Sequence, residues 1–235
     1  MFKQDGFEFT RRFSLRPKLF VELTATSGII GVIMLVISFS INPGPPTNAT
    51  ADQLVAFAKQ YYTSILWGAW LQAVGPILIV LFAFAIVFLA GASSRFAGWM
   101  TLFGGTILMT VSLVEIIFYI SALSDFTTGL VSLDMIHAAQ HLYFIVGAPA
   151  LFIPLGAVVL ESPSVLPRVF GYSAIVLGIV FAVLGVIFLY TLTLPFEVTA
   201  LAGVQVFWWL FAAIVLIRKA DKIGTLRYRL VSNEQ

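Results

Sequence analysis

The sequence predicts an all-α polytopic membrane protein with six transmembrane helices and both N- and C-termini cytoplasmic. Three observations predict it. Sixty per cent of the residues are hydrophobic and only 10% are charged, against about 25% charged in soluble domains. The apolar residues fall in six continuous runs, each near the ~20 helical residues that cross a bilayer. The basic residues gather at the chain ends and at alternate joints between the runs. A soluble chain of 235 residues leaves too large a wet surface to hide this much apolar area. Lipid offers the backbone no hydrogen-bond partner, so spans must be helices or closed barrels, and runs without strand alternation are helices.

The elements follow in order. A basic leader, 1–18, holds Lys3, Arg11, Arg12, Arg16 and Lys18. The transmembrane domain, 19–217, contains spans 19–41, 62–90, 96–123, 137–160, 169–191 and 198–217, and a basic tail fills 218–235. The first run begins after a long mixed-charge leader and ends without a small-x-small pattern, so it reads as a retained span rather than a signal peptide. Asn42-Pro43-Gly44-Pro45-Pro46 breaks it. Thr50-Ala51-Asp52-Gln53 then matches a capping box, and its helix would either project from the bilayer or bend on reaching span two. Tyr61, Tyr62, Trp67 and Trp70 fall where an interfacial aromatic belt belongs. Gly75-Pro76 in span two, and Pro149 and Pro154 in span four, predict kinks, because proline removes a helical donor.

Arg95-Phe96-Ala97-Gly98-Trp99 opens span three, and Arg168-Val169-Phe170-Gly171-Tyr172 opens span five. Each reads Arg-x-x-Gly-aromatic, either a trace of repeated hairpins or the generic furnishing of an inward helix start. Gly28, Gly31, Gly104, Gly105, Gly178 and Gly185 read as points of close helix approach. Twelve of the 13 basic residues fall on one side of this arrangement, and only Lys59 falls on the other. The positive-inside rule makes the basic side cytoplasmic.

Ionisable residues inside spans are costly and are functional candidates. Here they are few: Glu115 in span three, His137 and His141 at the start of span four, with Gln72, Gln205 and Tyr119 as polar neighbours. Glu115 lies ~12 Å and His141 ~6 Å from the outer ends of their spans, at 1.5 Å per residue. A small-molecule, lipid or ion site in the outer half is one reading. His137 and His141 share a helix face at i, i+4, and with Glu115 they form a two-His-one-carboxylate set of metal-ligand type. The plainer reading pairs His141 with Glu115 as a polar contact between neighbouring helices.

Other classes are excluded. Every lysine lies outside the predicted spans, so no retinal Schiff base can form, and the absence of cysteine excludes Cys-ligated clusters. There is no phosphate loop and no nucleophile elbow, so the chain reads as non-enzymatic. Basic residues at the chain ends of a membrane protein mark topology and not nucleic acid. The partners expected are the lipid bilayer and a homo-oligomer or larger membrane complex. Asn48-Ala49-Thr50 is a glycosylation sequon, relevant only in a eukaryotic secretory setting.

The length, the long first external segment and the stretch Ser164-Val165-Leu166-Pro167-Arg168-Val169-Phe170-Gly171-Tyr172 resemble a family of uncharacterised bacterial six-span membrane proteins. The resemblance implies the bundle fold and the bacterial inner membrane, and brings no activity. Three functional expectations stand together: a binding protein with an outward-facing polar cavity, an accessory subunit of a membrane complex, and a metalloenzyme or metal-binding protein using His137, His141 and Glu115.

Overall fold

The structure is a computed structural model that describes residues 17–42, 50–124, 129–187 and 196–223. Eight α-helices form, with no strand among the described residues: α1 Pro17–Ile41, α2 Ala51–Gln60, α3 Tyr62–Leu89, α4 Phe96–Ser124, α5 Gly129–Leu142, α6 Ala148–Glu161, α7 Arg168–Ile187 and α8 Phe196–Arg218. A π-helical turn, Tyr143–Gly147, joins α5 to α6. Six helices are long and apolar enough to cross a membrane, the fourth running through that turn from Ala138 to Glu161. The chain is a multi-pass membrane protein. Residues 188–191, assigned to span five by the sequence, lie outside the described residues, as does most of the leader and tail.

The spans form a closed ring in chain order: α1 packs on α3, α3 on α4, α4 on α6, α6 on α7, α7 on α8, and α8 returns to α1. Side chains fill the middle. Phe82, Phe152 and Phe181 are fully buried with Trp209, and Trp208 stands edge-on to Trp209 at 4.7 Å between ring centres. Phe152 touches both indoles, at 5.3 and 5.1 Å. Trp208 and Trp209 therefore pack the core. The outer faces carry Ile33, Phe103, Ile117, Val176, Val183 and Phe211, all exposed, as lipid-facing residues should be.

Glycine sets the closest approaches. A Cβ on Gly31 would lie 2.8 Å from the Gly75 carbonyl oxygen, and one on Gly75 would lie 3.0 Å from that of Gly31. Gly156 of α6 and Gly171 of α7 face each other the same way, at 2.6 and 2.9 Å. Gly178 and Gly185 continue that contact along α7 against Ile153 and Ile145. Pro154 cannot donate to the Ala150 carbonyl one turn back, and that carbonyl lies over Gly104 of α4, where any Cβ would collide with it. Such Cα–H to carbonyl contacts recur between helices that pack this closely.

The Arg-x-x-Gly-aromatic segments adopt matching roles. Gly98 admits the Ala92 carbonyl and Gly171 admits that of Gly156, while Trp99 and Tyr172 both point outward at 61% exposure. Gly91 makes the turn from α3 with φ 63°, a conformation glycine adopts without penalty. Arg95 pairs with Glu161 at 3.1 Å, Lys18 with Asp221 at 2.7 Å, and Lys219 donates to the Ser164 carbonyl at 3.2 Å. Partial burial, aided by Lys222, holds the Lys219 amine below its usual range. These contacts gather at one end of the ring, hereafter the basic end.

Candidate functional site

At the far end, α2 is a lid. Thr50 caps it: the Gln53 amide donates to the Thr50 hydroxyl at 3.4 Å, and the Thr50 amide donates to the Gln53 side chain at 2.9 Å. The threonine of the sequon thus serves as a helix cap, while Asn48 lies outside the described residues. Tyr61, with φ −106° and ψ 14°, separates α2 from α3. The chain bends there, and α2 lies against α4 and α5. Phe57, Ala58 and Tyr61 face a buried cluster of Ile65, Ala69, Ile116, Tyr119, Leu123 and Ile136. Asp52 and Lys59 remain exposed.

Beneath this lid the polar residues converge. Glu115 is 6% exposed. Gln72 of α3 donates to one carboxylate oxygen at 2.8 Å, and Gln140 of α5 donates to the other at 3.0 Å. One acidic side chain thereby joins three helices. Tyr119, one turn further along α4, is buried, lies near Glu115 and shares a side-chain hydrogen bond with Asn42, the residue after α1. The Asn42 side chain rests on Gly68, and its buried carbonyl oxygen has no hydrogen-bond partner. Ser38 donates to the Gly68 carbonyl at 2.8 Å. Tyr143, first residue of the π-turn, donates to Gln205 of α8 at 2.6 Å and lies near Glu115. Five of the six spans therefore contribute to one polar layer.

The cause of the π-turn lies just beyond it. Pro149 has no N–H for the Ile145 carbonyl, and its ring would crowd that group in a regular helix. The backbone widens instead, and the Ala148 amide reaches the Tyr143 carbonyl, five residues back. The added residue rotates α5 relative to α6. The predicted kinks at Pro149 and Pro154 are thus resolved into a wide turn and an unmatched carbonyl, whereas α3 runs as one helix through Pro76.

Of the residues expected at the site, Glu115, Gln72, Gln205 and Tyr119 are buried in this layer. His141 is half-buried on α5 beside Gln140. His137 lies on the same helix, and its side chain is outside the described residues. Among the described residues no three His, Cys, Asp or Glu side chains come together. The carboxylate oxygens of Glu115 carry glutamine donors. Sequence reasoning missed Gln140, Tyr143, Asn42 and Ser38. Gln140 carried a signal, being polar and adjacent to His141, but one residue turns a helix by about 100°, so adjacency alone does not name the side chain that faces Glu115.

Comparison with protein families, with curated proteins and with solved structures gave no match.

Proposed function

We propose that the chain is a non-enzymatic protein of the bacterial inner membrane that binds a small molecule or ion at the Glu115 layer, on the outward side. One observation carries this reading. The carboxyl group of Glu115 sits in the hydrocarbon depth, and the hydrogen bonds described for it come from two uncharged glutamines. Polar groups at such positions are expensive and mark functional sites. Two amide donors, worth about 1 kcal/mol each between helices in lipid, do not repay burying a charge. The positive-inside rule orients the bundle, with both termini and the basic end in the cytoplasm, and so turns α2 and the Glu115 layer outward. The Leu166-Pro167-Arg168-x-x-Gly171 stretch supports the bacterial setting.

Access is what separates a working site from packing. Dicyclohexylcarbodiimide, an apolar reagent for membrane carboxyl groups, should add once to the purified protein, as read by intact mass and located at Glu115 by digestion. Glu115→Gln should remove the adduct. No adduct at Glu115 would show a sealed packing contact. The accessory-subunit reading would then gain ground, since satisfied polar contacts serve as glue between helices. The metal reading with His137, His141 and Glu115 is tested by metal analysis of the purified protein, where a stoichiometric transition metal would favour it.

A further inference from the structure

We propose that α2 is a gate: an amphipathic helix that closes the plug over the Glu115 layer and opens by swinging about Tyr61 onto the outer surface of the bilayer. The inference rests on the functional reading above and adds how that site is reached.

Position comes first. The cluster on which α2 sits lies directly above the Glu115 set. Ala69, Tyr119 and Ile136 belong to that cluster, and Gln72, Glu115 and Gln140 are joined by hydrogen bonds below it. Each cluster residue stands three or four positions outward of one member of the set, and residues so spaced share a helix face. Ala69 lies over Gln72, Tyr119 over Glu115 and Ile136 over Gln140. All three are buried. A solute coming from the far end meets this plug before it meets the carboxyl group.

Separability comes second. The plug packs apart from the aromatic core around Phe82, Phe152 and Trp209. Opening it leaves that core in place, as local unfolding of a peripheral unit does.

A second seat for α2 comes third. The helix has two faces. Leu54, Phe57, Ala58 and Tyr61 are half-buried, while Asp52, Gln53, Ala56, Lys59 and Gln60 are exposed. The half-buried four follow the i, i+3, i+4, i+7 spacing of one apolar stripe. A helix so divided lies stably in the plane of a bilayer interface. Its hinge stands at that depth. Tyr61 leaves the helical region, at φ −106° and ψ 14°, and Tyr62, Trp67 and Trp70 on the turns that follow are exposed, as an interfacial aromatic belt is. Swung about Tyr61, α2 exchanges the plug for lipid. Lipid tails are as apolar as leucine, so opening forfeits packing contacts while the apolar stripe stays out of water.

The test uses the full chain in nanodiscs of phosphatidylethanolamine and phosphatidylglycerol. A water-soluble carbodiimide is added, and its rate of reaction at Glu115 is read by digestion and mass spectrometry. The chain has no cysteine of its own. Ala58→Cys and Ile136→Cys, both at the plug, should be joined by a flexible bis-methanethiosulfonate. The joined protein should react at Glu115 roughly tenfold or more slowly, as a reaction that passes through local opening does when opening is blocked, and reduction should restore the rate. Ala58→Glu sets a charge against the plug and should raise the rate severalfold; it serves alone should the cysteine pair fail to fold. A folded pair that does not bridge, or a rate indifferent to the bridge and to Ala58→Glu, overturns the gate. Labelling by dicyclohexylcarbodiimide, with none by the water-soluble reagent in any variant, overturns the gate and leaves the site, entered from the lipid. Labelling by neither removes the site as well.

Discussion

At Glu115, two glutamines 68 positions apart meet on one carboxylate. The residue types were legible in the sequence, because an acid within an apolar run stands out whatever it touches. Its partners were not. Gln72 was recognisable as polar, but Gln140 and not its histidine neighbour supplies the second bond described, and helix phase decided which. The glycines were more legible. All six singled out as close-approach points have a neighbour within 3 Å of the Cβ they lack, because small residues in spans have few other uses. Their contacts separate two outcomes. Gly104→Ala drives a methyl into the Ala150 backbone and should cost about 1–3 kcal/mol. Gly203, with nothing within 4 Å of its Cβ position, should accept alanine and gain about 0.5–1 kcal/mol. Unfolding in mixed micelles against a denaturing detergent would read both, and equal effects would contradict the packing described.

The six long runs came through with ends within a residue or two where the structure describes them, since twenty apolar residues in lipid leave the backbone no alternative to helix. The departures sit where local chemistry competes. The joint expected at 124–134 is helical from Gly129 onward, and α5, the π-turn and α6 continue one another. Proline patterns locate a disturbance without saying whether the helix type changes: the backbone widens to a π-turn before Pro149, while the helices continue through Pro76 and Pro154. The capping box at Thr50 was readable because it is a local exchange of two hydrogen bonds. Whether α2 projects or folds depended on Phe57, Ala58 and Tyr61 finding the cluster formed by α3, α4 and α5. Thr50→Ala should weaken α2 by about 1 kcal/mol. Hydrogen exchange should rise roughly fivefold in α2, by the same free energy, and stay unchanged in α6 and α7. A uniform rise across all helices would mean that α2 is no separable lid.

Across the whole molecule, the ring has two unlike ends. The basic end is tied by Arg95 to Glu161 and Lys18 to Asp221, exposed pairs worth about 0–1 kcal/mol each, so their value lies in topology more than in stability. The middle is aromatic and filled. The far half holds the buried polar groups under α2. Composition and charge placement foretold that asymmetry, whereas the ring order and its aromatic filling depend on side-chain contacts between distant spans that no single run reveals. The chain's lack of cysteine makes the most direct test of an outward-opening polar layer straightforward. In intact cells, a small, membrane-impermeant, positively charged methanethiosulfonate should modify Gln140→Cys and Thr50→Cys from outside, and should reach Ser93→Cys only after the membrane is opened. Modification of Ser93→Cys in intact cells, or of Gln140→Cys only after opening, would contradict the account.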